Sequence, residues 1–299
     1  MQKSPILIWN RREKKEEVEA VYGDAFVRWL YGTSTGQFLV EHLFPKVRLS
    51  RLYGAFQASS FSAYKVESFV KRFKIHHEEF EGWPFRSFND FFIREFKLGV
   101  RPFIQDPQQM PAFAEARYFA FDRVSEKQVF PIKGSALSAE ALLGDVKKAK
   151  PFLGGAVLIA RLCPTDYHRF HFPDSGRIIE SYRVHGPLHS VNPMALAYKN
   201  EILSTNERQI SILETQSFGR LAYIEIGALC VGKIVQLHPQ DKEFSRGDVK
   251  GYFLFGGSTV VLLGEPGAWA PDSDLLEQTA QNRETLVRLG EKIALATHF

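Results

Sequence analysis

The sequence predicts an α+β fold. Three observations predict it: helix-period apolar spacing in the front third, short apolar runs cut by Gly, Pro, Asn and Asp from about residue 102 to 264, and a return to helical composition over 272–299. In the front third, Val18, Val21, Tyr22, Ala25, Phe26, Trp29 and Leu30 follow the i, i+3, i+4, i+7 pattern and predict an amphipathic helix that stops at Gly32. Ser87, with Asp90 three positions on and Phe91 and Phe92 behind it, has the capping-box form and predicts a second helix ending near Gly99 and Pro102. In the middle, AVLIARL at 156–162, QISIL at 209–213 and LAYIEI at 221–226 predict strands. At the end, Asp272 or Ser273 can cap a helical tail. The expected organisation is a helical region over 1–101 and a β-rich portion over 102–299, in one compact unit with neither an internal repeat nor a low-complexity linker.

A chain of 299 residues with 44% hydrophobic content can bury a full core. No apolar run reaches the roughly 18 residues of a membrane span, and the start, MQKSPILIWNRREKK, lacks the apolar stretch of a secretory signal, so a cytoplasmic-side protein is expected. Cys163 and Cys230 are far apart with no CxxC partner, which suggests neither a disulfide framework nor a zinc knuckle. The net charge of +4 is unevenly spread: residues 38–76 hold seven Lys or Arg against Glu41 and Glu67. Phe38, Phe44, Leu49, Leu52, Tyr53, Phe56, Phe61, Tyr64, Phe69 and Phe73 interleave with those charges. Such a segment can insert rings into an anionic lipid surface, or it can turn its rings to a core and its charges to water.

Two constellations carry chemistry. In FGGSTVVLL at 255–263, two glycines precede a hydroxyl residue and a buried-strand run. Glycine permits a strained peptide there, so the Ser258 hydroxyl could attack the Gly257 carbonyl and move the acyl group from nitrogen to oxygen. A plain turn entering a strand would look the same. In DYHRFHFP at 166–173, His168 and His171 could do proton work, could bind metal with Asp166 as the one acidic neighbour, or could simply pack.

Taken together, the segments SFNDFFIREFKLGVRPF (87–103), LLGD (142–145), YHRFH (167–171), NER (206–208), IGALCVGKI (226–234) and KGYFLFGGSTVVLL (250–263) resemble the phosphatidylserine decarboxylase family, in order and in spacing. The likeness covers most of residues 15–265. It implies N-terminal membrane-facing helices packed on a β-rich, barrel-like catalytic domain. It further implies self-cleavage between Gly257 and Ser258 into chains 1–257 and 258–299, with Ser258 becoming a covalent pyruvoyl cofactor. His171, the second histidine of YHRFH, matches the family's self-cleavage base, and His168 the residue assigned to decarboxylation. A gap-free count back from FPIKGSALSAEALLGD (130–145) places the family's orienting aspartate at Glu115; Asp122 is the rival register. Glutamate keeps the charge but adds a methylene, and a misplacement of about 1 Å can cost a hundredfold in rate.

The implied activity is pyruvoyl-dependent decarboxylation of phosphatidylserine to phosphatidylethanolamine by a peripheral protein on the cytoplasmic side of the cell membrane. The implied partners are the substrate lipid, an anionic membrane surface, the two cleaved chains and, as often in the family, a second copy. Neither metal nor nucleic acid is expected. The other readings are an unprocessed relative that binds or shapes a lipid surface, and a pyruvoyl enzyme for a soluble amino acid.

Overall fold

The structure is a computed structural model and describes residues 5–42, 54–123, 138–199, 201–228, 233–256 and 258–297. Gly257, Cys230, Phe44, Leu49, Leu52 and Tyr53 lie outside them. Sixteen strands are present among the described residues: β1 (Leu7–Asn10), β2 (Lys15–Val18), β3 (Gln109–Pro111), β4 (Ala116–Phe121), β5 (Val157–Leu162), β6 (Arg169–His171), β7 (Gly176–Val184), β8 (Arg208–Thr215), β9 (Arg220–Ile226), β10 (Ile234–Gln236), β11 (Glu243–Phe244), β12 (Val249–Phe253), β13 (Ser258–Gly264), β14 (Trp269–Pro271), β15 (Glu284–Val287) and β16 (Lys292–Ala296). Ten of them make one sheet in the order β11-β7-β8-β9-β13-β5-β4-β15-β1-β2, and two three-stranded sheets, β10-β12-β6 and β14-β16-β3, accompany it. The β-rich portion is therefore not a closed barrel: the large sheet ends on β11 and on β2. The outward edge at β2 reads KEEV, and charged edge residues of this kind discourage pairing with another chain.

The apolar runs have a simple cause. β4, β5, β9 and β13 lie mid-sheet with both faces covered, so VLIARL and STVVLLG are buried at every position, whereas β7, near the rim, is partly exposed along most of its length. Caps set several short helices in the loops. Ser138 accepts from Ala141 N, and Gly144 ends that helix, Ala139–Leu143, at φ 68, where a side chain would be strained. Arg208 donates to the carbonyls of Ala141 and Leu142 at that end, and Asn206 donates to those of His189 and Gly227. The LLGD and NER segments are thus joined as a structural clasp.

The predicted front helix begins later than its spacing implied. Residues 7–18 form the β1–β2 hairpin, with β1 parallel to β15, and the helix spans Asp24–Gly32. Its end at Gly32 is as predicted. Ser87 does cap a helix, accepting from Asp90 N at 3.0 Å, but that helix stops at Phe92. The C-terminal segment is helical only over Ser273–Ala280 and then returns to the sheets as β15 and β16. Asp272 makes no side-chain cap; its carboxylate binds Arg11 and Lys292 instead. No helix among the described residues is long and apolar enough to cross a membrane.

The interleaved rings of the front third divide. Phe69 is buried and Phe73 partly so, both in a cluster with Val66, Phe88, Phe91, Phe92 and Phe255. Phe38, Phe56, Phe61 and Tyr64 are exposed, as are Phe26 and Trp29.

Candidate active site

Phe255 and Gly256 follow β12 ahead of β13, and Phe255 belongs to the aromatic cluster. Asn89 Oδ1 accepts from Phe255 N at 3.3 Å, and Phe92 packs on Phe255 with ring centroids 5.0 Å apart. Gly256 sits at φ 141, a backbone conformation that side chains other than glycine's rarely adopt. Ser258 opens β13, opposite Leu162 of β5, and is fully buried. Its hydroxyl lies 3.4 Å from His168 Nδ1.

His168 is held on three sides. Phe92 stacks on its ring at 3.8 Å and 21°. Its carbonyl accepts from Phe253 N at 3.0 Å, which ties it to β12. Nε2 lies 2.8 Å from the Cys163 carbonyl, an atom that can only accept, so Nε2 carries the proton and a neutral ring leaves the Nδ1 lone pair facing Ser258. Neutrality follows from burial first, then from the nearby charge of Arg94 and Arg117, which together push the His168 pKa well below the ordinary histidine value. A neutral imidazole with a free nitrogen beside a serine hydroxyl is the arrangement of a general base and its nucleophile, and such distances shorten as reaction begins.

His171 is placed otherwise. Its Nδ1 donates to the Gly247 carbonyl at 2.8 Å and its Nε2 accepts from the Tyr167 hydroxyl at 3.1 Å, so both nitrogens are taken. Burial lowers its pKa to about 4, and it makes no hydrogen bond to Ser258. Glu115 does not reach it. The Glu115 carboxylate binds Arg101 at 2.6 and 3.0 Å and accepts from Leu289 N at 3.3 Å. It lines a half-open cleft of about 310 Å³ with Arg94, Arg101, Asp166 and Tyr167, and neither Ser258 nor His168 lines that cleft. Asp122, the rival position, is exposed just past the end of β4. The structure thus brings Ser258 and His168 together, while the side chains of His171 and Glu115 bond to other groups and not to this pair or to each other.

Several residues at this site carried no role in the sequence reading. Phe92 and Arg94 sit within the SFNDFFIREF segment, but nothing in their spacing signals a ring stacked on His168 or a guanidinium gripping the carbonyls of Thr165 and Asp166 at 3.0 and 2.9 Å. Cys163 acts through its backbone carbonyl, which no side-chain pattern reveals. Among the described residues, no group of three or more His, Cys, Asp or Glu could hold a metal ion.

With this geometry in place, the likeness to known proteins takes on structural meaning. A family model described as phosphatidylserine decarboxylase matches residues 88–295. The phosphatidylserine decarboxylase proenzyme of Clostridium perfringens is 40% identical over 295 residues, covering 96% of this chain and 99% of the relative. That of Clostridium novyi is 38% identical over 290 residues, covering 96% and 98%, and that of Clostridium tetani 39% over 290, covering 96% and 97%. The matched span holds Phe92, His168 and Ser258, and the likeness runs nearly the whole length of both partners: the chain belongs to the phosphatidylserine decarboxylase family.

Proposed function

We propose that this chain is a proenzyme that cuts itself between Gly257 and Ser258, turns Ser258 into a pyruvoyl group, and then decarboxylates phosphatidylserine to phosphatidylethanolamine at a membrane surface. The observation that carries the reading is the buried Ser258 hydroxyl beside the unprotonated Nδ1 of His168, in a chain whose relatives are named phosphatidylserine decarboxylase proenzymes.

His168 Nδ1 takes the Ser258 hydroxyl proton while Oγ bonds to the Gly257 carbonyl carbon. The Gly257–Ser258 amide bond then breaks and its nitrogen receives a proton, which leaves an ester. Loss of the Ser258 α-proton expels the Gly257 carboxylate and leaves a dehydroalanine, whose imine form is hydrolysed. Overall one water is consumed and one ammonia released. The surroundings fit the small group that results, since residue 258 is enclosed, with His168 Nδ1 at its side chain and the Phe92 and Phe255 rings close by. A pyruvoyl group there would supply a sink for the electron pair freed as carbon dioxide leaves. His168, still in place, would return the proton. The geometry favours His168 for both stages, because His171 has no free nitrogen.

Exposed Phe26, Trp29, Phe38, Phe56, Phe61 and Tyr64, with exposed Lys71, Arg72 and Lys74 near them in sequence, support attachment of the front third to anionic lipid. On this reading residues 1–101 meet the membrane on the cytoplasmic face and lend Asn89, Phe92 and Arg94 to the site, while 102–299 carry His168 and Ser258.

A denaturing gel and intact mass test the reading. Wild-type protein should give two chains, 1–257 and 258–299, with one ammonia lost. Ser258→Ala and His168→Ala should stay full length at 34.1 kDa, and His171→Ala should still cut. Processing lost in His171→Ala but kept in His168→Ala would return the base to His171. A single uncut wild-type band, with no borohydride-reducible carbonyl but with binding to anionic vesicles, would instead identify a lipid-surface binding protein. Carbon dioxide release from phosphatidylserine vesicles but not from free serine fixes the substrate class.

A further inference from the structure

Residues Cys163 to Asp166 form a tight turn. Asp166 N donates to the Cys163 carbonyl at 2.9 Å, and Pro164 occupies the second position, where its fixed φ suits such a turn. The Asp166 carboxylate reaches back to accept from Cys163 N at 2.6 Å, so both ends of the turn are tied by one residue. The carbonyl held in this way is the one that receives His168 Nε2 at 2.8 Å. Its direction decides which nitrogen of His168 carries the proton.

A buried charge network holds Asp166 in turn. Arg117 of β4 and Arg161 of β5 are cross-strand neighbours, an arrangement of like charges that repels unless neutralised. Glu19 lies between them: it bonds Arg161 at 2.9 and 3.0 Å and pairs with Arg117, while Glu284 takes Arg161 at 2.7 Å. Arg117 pairs with Asp166 as well. Glu19 also accepts the Cys163 thiol at 2.7 Å, a thiol that burial keeps protonated. Glu19, Arg117, Arg161, Glu284 and Cys163 are buried and the Asp166 side chain is only 10% exposed at the wall of the cleft, so removing one charged member leaves its partner's charge poorly compensated. Glu19 comes from the loop after β2, outside the span 88–295 matched by the family model.

We propose that Asp166, locked by Arg117 to the buried Glu19, is a positioning residue that sets the Cys163 carbonyl against His168 and so keeps His168 Nδ1 free for residue 258. This rests on the reading that His168 acts on residue 258. The front segment then does more than meet lipid: through Glu19 it completes the network that orients the base.

The tautomer of His168 is the test. In Ser258→Ala proenzyme, which stays uncut, ¹⁵N shifts of the histidine ring should show a single Nε2–H form. Asp166→Ala should add the Nδ1–H form, and with Ser258 intact it should slow processing roughly a hundredfold, as expected for a misplacement near 1 Å. Asp166→Asn, which keeps a side-chain oxygen for the Cys163 amide, should restore much of both. Glu19→Gln should move both readouts in the same direction as Asp166→Ala. An unchanged tautomer in a folded Asp166→Ala protein, or a changed tautomer with a wild-type rate, overturns the proposal. If Asp166→Ala does not fold, Glu19→Gln decides on the same two readouts. Wild-type processing by His168→Gln would defeat the reading of His168 itself, while the tautomer result would still stand or fall separately.

Discussion

At the scale of single residues, the two histidines of YHRFH show how environment divides like side chains. Both are buried and both are kept neutral, yet one has a free nitrogen at Ser258 and the other has none. For His171 the consequence for stability has a definite sign. Its pKa is about 4 in the folded chain against 6.5 for an ordinary histidine, so between those values the unfolded chain binds a proton that the folded chain refuses. Its contribution is fully present above pH 6.5 and is lost as pH falls towards 4, by on the order of 3 kcal/mol. His168 adds to the same loss. Urea unfolding of wild type and His171→Gln at pH 7 and pH 4.5 checks this: the acid-induced drop should be smaller in the variant, and equal drops would mean that His171 is not kept neutral by the fold.

At the scale of elements, the three-stranded sheet whose β6 follows directly on His168 is fastened to the large sheet by a buried ion pair, beside the bond from the Tyr223 hydroxyl to the His171 carbonyl. Lys250 of β12 binds Glu225 of β9 at 2.5 Å and Gln236 of β10 at 2.6 Å, with both charged groups fully buried among Phe170, Phe172 and Tyr223. Burial pushes each group towards its neutral form while the partner's charge opposes that. Breaking such a pair costs far more than replacing it. Lys250→Met should therefore cost about 3–5 kcal/mol in chemical denaturation. The double variant Lys250→Met with Glu225→Leu should recover most of that; a double variant as unstable as the single would show that packing, not the stranded charge, sets the cost. The strands themselves were legible from their apolar runs. This fastening was not, because strand spacing does not reveal which buried lysine faces which buried glutamate.

At the scale of the whole molecule, the proposed point of cleavage precedes a segment interwoven with the rest of the described fold. Residues 258–297 supply β13 between β9 and β5, β15 between β4 and β1, and β16 between β14 and β3. A cut before Ser258 frees one end of a central strand and leaves its pairings with β5 and β9 intact. The two processed chains should accordingly co-elute in native gel filtration and part only under denaturing conditions. Release of the 258–299 chain in native buffer would contradict the interwoven topology.

The sequence by itself determined the α+β class, strands predicted at 156–162, 209–213, 221–226 and after Gly257 that the structure bounds at Val157–Leu162, Arg208–Thr215, Arg220–Ile226 and Ser258–Gly264, the stop at Gly32 and the Ser87 cap, because these follow from local spacing and turn chemistry. Its ordered motifs also named Ser258, His168, His171 and Glu115 as candidates, which local patterns alone would not have distinguished from an ordinary turn and strand. Tertiary structure decided the rest. It opened the expected barrel into a ten-stranded sheet and drew residues 7–18 into that sheet beside β15. It turned Phe69 inward while leaving Phe61 exposed, and paired Glu115 with Arg101 instead of His171. The physical reason is common to these cases. Which strand a hairpin joins, which face of a helix is covered and which of two buried nitrogens stays free are settled by partners scores of residues away, and a period of 2 or 3.6 carries no record of them.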